Sequence, residues 1–268
     1  MQNAGFSFWG RAWIRRDVFW ELIKRDIAGR YSGSFLGLLW SFLNPLLMLA
    51  VYTLAFRQFL GMRWPNMATG VDFSLMIFAG MIVHTLMAEC IVRAPTSIVS
   101  NVNLVKRVVF PLALLPCVTV VSSLFNAALS MAVLLLFVLL SHRTLSLSLM
   151  YLPFLFAPYA LLLCGVSWLM ASLGVFVRDI TQLAGIITTM LMFLSPVFYP
   201  ASSLHEPYRT WLRYNPLTLI IEQTRNVVLF GQLPDWHALS LYTVAALLVL
   251  LFGYAWFRRT RDGFADVL

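Results

Sequence analysis

Ser195-Pro196-Val197-Phe198-Tyr199-Pro200 is caught between apolar runs, with Tyr214-Asn215-Pro216-Leu217-Thr218 after it and Gly174-Val175-Phe176-Val177-Arg178-Asp179-Ile180 before it. The Arg178-Asp179 pair ends one apolar run and starts the next. Prolines, aromatics and charges thus crowd a hydrophobic segment barely long enough to cross a bilayer. A segment built that way reads as a place where something passes or opens.

The rest of the chain supplies the setting. Apolar residues make up 60% of it and charged residues 11%, with a mean hydropathy of +0.82. Soluble domains carry roughly 25% charged residues, so the composition is that of an integral membrane protein, and its long apolar runs make it all-α. The formal charge of +8 is what basic residues flanking spans produce, so no nucleic-acid partner is expected. Cys90, Cys117 and Cys164 sit inside apolar runs without metal or disulfide spacing and read as small packing residues; no metal site is expected. The first long apolar run begins near Phe35, after a polar and aromatic stretch, so no secretory signal is visible and the N-terminus is expected to stay in the mature protein.

A crossing needs about 20 apolar residues. Six runs qualify: Phe35–Phe56, Phe73–Val92, Pro111–Leu140, Leu149–Val177, Ile180–Tyr199 and Leu239–Phe257. With both termini inside, thirteen Lys and Arg fall on the cytoplasmic side and six outside, as the positive-inside rule requires. Residues 1–34 are too charged to span. Trp9, Trp13, Trp20, Ile23, Ile27 and Tyr31 nevertheless share one helical stripe, with Arg16 inside it, which describes an amphipathic helix in the cytoplasmic interface. A soluble arm that folds on a partner is the plainer alternative. Residues 35–268 form the six-span domain.

Motifs in order along the chain carry a resemblance that covers essentially the whole of it. Arg25-Asp26-Ile27-Ala28-Gly29-Arg30-Tyr31-Ser32-Gly33-Ser34-Phe35-Leu36-Gly37-Leu38-Leu39-Trp40-Ser41-Phe42-Leu43-Asn44-Pro45 resembles the entry to the first span of type-2 ABC exporter permeases. Lys106-Arg107-Val108-Val109-Phe110-Pro111, the Arg178-Asp179-Ile180 junction, and the Ser195–Pro200 and Tyr214–Leu217 stretches match the same family. The match is narrower still with the branch that exports bacterial polysaccharides: O-antigen, capsule or wall teichoic acid. The resemblance implies an inner-membrane permease that forms a homodimer, pairs with two copies of a separate ATPase subunit, and moves a polyprenyl-linked glycan. This chain has no G-x-x-x-x-G-K-[ST] loop and only two lysines, Lys24 and Lys106, neither after a glycine. ATP and Mg are therefore expected on the ATPase and no cofactor on this chain.

Two regions acquire roles from that resemblance. A cytoplasmic helix at about 98–110, capped by Ser100 and carrying Asn101, Asn103, Leu104, Lys106 and Arg107, would dock on the ATPase; a basic connector is the alternative. Residues 200–235 are external and too apolar for an ordinary loop. Leu217–Phe230 is amphipathic but has 14 residues, so it must lie flat or re-enter as part of an outer gate with Pro196, Phe198, Tyr199, Asn215 and Pro216. Glu222 and Arg225, three apart, can pair there.

The residues themselves suggest three further features. Tyr52, Phe56 and Phe59 share a face of the first span and suit a glycan track, although packing against a helix or lipid explains each one singly. Glu89 and Arg93, four apart near an inner end, are expected to pair with each other. Asn44-Pro45 should bend the first span.

A membrane acyl- or glycosyltransferase would need clustered acid–base residues. The four histidines, His84, His142, His205 and His237, are scattered, and no catalytic residue is expected. A permease for a small drug or lipid is the alternative within transport, although such members typically carry a large external domain or fused ATPase.

Overall fold

The computed structural model describes residues 8–55, 70–105, 110–142 and 145–268. These form α-helices joined by short 3-10 turns, and no strand occurs among the described residues. The helices are α1 (Phe8–Tyr31), α2 (Trp40–Tyr52), α3 (Gly70–Arg93), α4 (Thr96–Val99), α5 (Val102–Val105) and α6 (Leu114–His142). They continue with α7 (Leu152–Phe176), α8 (Ile180–Leu194), α9 (Tyr208–Arg213), α10 (Pro216–Val228), α11 (Trp236–Thr260) and α12 (Phe264–Val267).

Among the described residues, four helical stretches are long and apolar enough to cross a membrane: Phe73–Arg93, Leu114–Ser141, Leu147–Phe176 and Trp236–Val267. The other two expected spans are shorter. The first starts at Trp40 rather than Phe35, because the chain leaves α1 through Gly33 (φ 86°) and Gly37 (φ 51°), a backbone conformation other residues rarely adopt. The fifth stops at Leu194 rather than Tyr199. Ser195 precedes Pro196 and takes an extended backbone, ending a helix of 15 residues. At 1.5 Å per residue that is about 23 Å.

α3 is the hub. Its residues 75–83 are apolar on every side, and Met76, Ile77, Ala79, Val83 and Cys90 are fully buried. It packs against α2, α6, α7, α8 and α10. Buried His84 on α3 bonds the Thr188 carbonyl of α8 (3.0 Å), and the Tyr159 hydroxyl of α7 donates to the Val83 carbonyl (2.7 Å).

α7 and α11 form the closest pair, crossing where Gly165 meets Gly253. A side chain at Gly165 would strike the Val249 carbonyl at 2.5 Å, and one at Gly253 would strike the Gly165 carbonyl. Small residues let helices approach this closely without a hydrophobic drive between them. Farther along, the Ser172 and Thr260 hydroxyls bond at 2.6 Å. The opposite face of α11 exposes Leu241, Val244, Leu248, Leu251 and Phe252, the apolar exterior expected of a lipid-facing helix. The three cysteines are free.

Candidate functional site

Candidate site residues gather at the two ends of α3. At the end near Arg93, α1 lies against α3 and α6. Arg30 donates to Glu89 at 2.7 Å, and Arg93 donates to both oxygens of Asp26 at 2.7 and 2.8 Å. Ser122 and Ser123 of α6 accept from Arg30 at 3.1 and 3.2 Å, while Asn126 reaches Glu89 at 3.3 Å. The pattern is simple. Asp26 and Arg30 stand four apart on α1, Glu89 and Arg93 four apart on α3, and each acid meets the arginine at the opposite end of the other pair.

The expectation that Glu89 pairs with Arg93 is therefore corrected: both are paired across helices, to α1. Burial opposes the charge on Asp26, but hydrogen bonds from Arg93 and Ser122, and the fields of Arg93 and Arg30, hold its carboxyl below the ordinary value. The apolar stripe of α1 contributes too. Ile23 is buried and Leu22 packs into a cluster with Ile98, Leu115 and Phe264, whereas Trp20 stays half exposed.

The segment expected as one coupling helix is broken. Ser100 does not cap its start; it closes α4, its hydroxyl donating back to the Thr96 carbonyl at 2.7 Å. Asn101 turns the chain into α5, which holds Asn103 and Leu104. Arg25 of α1 donates to the Asn101 side chain at 3.3 Å, joining α1 to this segment. α4 is seated on α7, where Gly174 leaves room only for Pro95. Lys106 and Arg107 lie outside the described residues.

At the other end of α3, α10 brings the two opening motifs together. Asn215 caps α10, its side-chain oxygen accepting from the Leu217 amide at 2.9 Å with Pro216 in the first turn. The same side chain donates to the Leu194 carbonyl at 3.0 Å and the Ser195 hydroxyl at 2.9 Å. Arg225, 3% exposed, donates Nε to the Met76 carbonyl of α3 at 2.9 Å. Its Nη1 and Nη2 donate to the carbonyls of Pro196 and Val197 at 2.7 and 2.6 Å. Gly80 makes the room, since a Cβ there would lie 2.8 Å from Arg225 Nη2. The proline loop is thus held by one guanidinium and one amide. Glu222 and Arg225 feel each other's charge, and Arg209 adds to the field at Glu222.

Phe198 packs toward Phe193, ring centroids 6.2 Å apart, and the Tyr199 hydroxyl donates to the Phe193 carbonyl at 3.0 Å. Tyr52 is partly buried against the core and lines a groove of about 360 Å³ between α2, α3 and α6, with Ser41, Asn44, Thr85, Glu89 and Asn126. α2 runs on through a buried Pro45. Phe56 and Phe59 lie outside the described residues.

Sequence reasoning missed the ionic docking of α1 and the role of Arg225. Each had a signal: matched acid-x-x-x-Arg spacings in one case, and an arginine among buried apolar positions of a short helix in the other.

The family model described as ABC-2 type transporter matches residues 17–229. The O-antigen export system permease protein RfbA of Klebsiella pneumoniae is 23% identical over 267 residues, covering 99% of this chain and 97% of that protein. The protein of the same name from Myxococcus xanthus is 26% identical over 253 residues, 94% and 95% of the two chains. The polysialic acid transport protein KpsM of Escherichia coli is 22% identical over 263 residues, 98% of each.

Proposed function

The chain belongs to the ABC-2 type transporter family, and from that premise we propose that it is the membrane permease subunit of an ATP-driven polysaccharide exporter. Family and apolar helices make it a multi-pass membrane protein with a transport role rather than a catalytic one. The observation that carries the substrate is end-to-end similarity, over 94–99% of this chain, to permeases named for O-antigen export and polysialic acid transport.

In this reading the shorter apolar helices α2 and α8 complete a set of six spans, in the inner membrane, with both termini cytoplasmic. Two copies form the channel. Two copies of an ATPase bind ATP and Mg, and this chain binds neither. The substrate is a polyprenyl-linked glycan, O-antigen first among the candidates. Residues 1–34 lie in the cytoplasmic interface, and α4–α5 with Lys106 and Arg107 receive the ATPase stroke. The Arg25–Asn101 contact supports that assignment, because it ties the segment to α1 and, through the ionic cluster, to α3. α3 then runs from the cluster to the carbonyls that Arg225 holds. Gly80 and Glu89 are nine residues apart, about 14 Å along a helix, so a small shift of one end reaches the other directly. The outer segment, α9, α10 and the proline loop, opens to let the glycan pass, with Pro196, Phe198, Tyr199, Asn215, Pro216, Glu222 and Arg225 forming the gate and Tyr52, Phe56 and Phe59 the track.

Deleting the gene tests the reading. Export predicts polymer accumulating inside on its lipid carrier, with none at the surface. An unchanged surface would put a drug or lipid permease in its place.

A further inference from the structure

Beside Arg225 lies a cup of about 250 Å³, lined by Met76, Ser202, Glu222, Arg225, Asn226 and Phe230. Its polar groups divide into two kinds. The Arg225 guanidinium is bound to three carbonyls and forms a fixed wall. The carboxylate of Glu222, the amide of Asn226 and the hydroxyl of Ser202 receive and donate no hydrogen bond to the side chains or backbone of other described residues. They form an acceptor, a donor–acceptor and a hydroxyl around one small space. Half-exposed Phe230 supplies apolar surface beside them.

Ligand classes separate on this chemistry. An anion meets the Glu222 carboxylate and finds the Arg225 guanidinium already engaged by three carbonyls, an apolar ligand would strip water from three polar groups without replacing it, and a metal finds a single carboxylate beside a guanidinium. A sugar ring has hydroxyls that both donate and accept, and a C–H face that packs on an aromatic ring. The volume is below the roughly 300–1,000 Å³ of sites for drug-sized ligands, which suits one ring and not a stretch of polymer. We propose that this cup is an exit subsite that binds one neutral or amino-sugar residue of the exported glycan, with Glu222, Asn226 and Ser202 taking its hydroxyls and Phe230 its apolar face. The proposal rests on the export reading and adds to it a place: one sugar ring held beside the loop that follows α8. Ser202 comes from the turn after Pro200, so a bound ring also touches the loop that Arg225 holds.

The test is photo-crosslinking in cells that make the polymer. The full chain carries benzoylphenylalanine in place of Phe230, in a second strain in place of Ser202, and in a control strain in place of Trp211, which is 77% exposed on α9. Membrane abundance and surface polymer are measured in each. The expected result is a glycan adduct at positions 230 and 202 well above that at 211. Adding Glu222→Ala and Asn226→Ala should lower it about tenfold, the loss of two hydrogen bonds to a bound sugar. Adducts at 230 and 202 no stronger than at 211, in cells with normal surface polymer, overturn the subsite and leave export standing. A deletion strain whose surface polymer is unchanged overturns export and the subsite with it.

Discussion

Arg225 concentrates more consequence than any other side chain described. Its three donors reach three carbonyls on two segments, a demand that a planar guanidinium meets and a single ammonium does not. Arg225→Ala would leave the carbonyls of Met76, Pro196 and Val197 buried without that donor, at about 1–3 kcal/mol for each group left unsatisfied. We expect a clear fall in the melting temperature of the purified protein, and no recovery in Arg225→Lys. Gly80→Ala should act in the same direction, because its new methyl meets both Arg225 Nη2 at 2.8 Å and the Val197 backbone at 3.3 Å. A melting temperature unchanged by all three variants would refute the bracing role. Asp26 carries a pH prediction. Its folded pKa is depressed, so it contributes stability above the unfolded value of about 3.9, and that contribution is lost as pH falls through the folded value. Acid should therefore loosen α1, and Asp26→Asn should be looser at neutral pH with a smaller acid response. Hydrogen exchange along α1, corrected for intrinsic pH dependence, measures it; identical acid responses in the two proteins would exclude Asp26 as the source.

Among the elements, α1 makes the strongest case for pairing as a unit. Its docking joins two acid–arginine pairs on helices that run in opposite directions, so the exchange Arg30→Glu with Glu89→Arg should recover part of what Arg30→Glu alone loses. Coupling of about 0.5–3 kcal/mol is the range for groups in one network, read from α1 protection in a double-mutant cycle. Additive losses would show that the two do not interact. These charges also mark how far the sequence could be read. The long helices were legible because periodicity and length need no partner, and Glu89 and Arg93 announced themselves as charges in an apolar run. Their true partners were not legible, since four-residue spacing offers a local partner just as readily and only the seating of α1 on α6, beside α3, decides between them. The ends of α8 and α2 were misplaced for a related reason: apolar residues continue past Ser195 and before Trp40, while the backbone is set by Pro196 and by two glycines at positive φ. The opening motifs were read as belonging together from resemblance. That Asn215 and Arg225 physically tie them is a tertiary fact.

For the whole molecule, the question is whether a push on the segment after α4 reaches the proline loop. The structure offers a continuous path: Asn101 to Arg25, α1 to α3 through Asp26–Arg93 and Arg30–Glu89, and α3 to the proline loop through Arg225. A path in space is an association until a variant separates its ends. Replacing Lys106 and Arg107 with Glu reverses the charge of the proposed docking segment and leaves the residues of the ionic cluster and of the proline loop unchanged. We expect the variant to reach the membrane at normal abundance and to retain the parent's melting temperature, while surface polymer is lost and precursor accumulates inside. The assembled complex should still hydrolyse ATP at its basal rate, because the ATPase itself is unaltered. Arg25→Ala, which removes only the link to Asn101, should lower export less and leave assembly intact. Normal surface polymer in the charge-reversed variant would remove the coupling role from this segment and leave α1 as the remaining contact through which the ATPase could act.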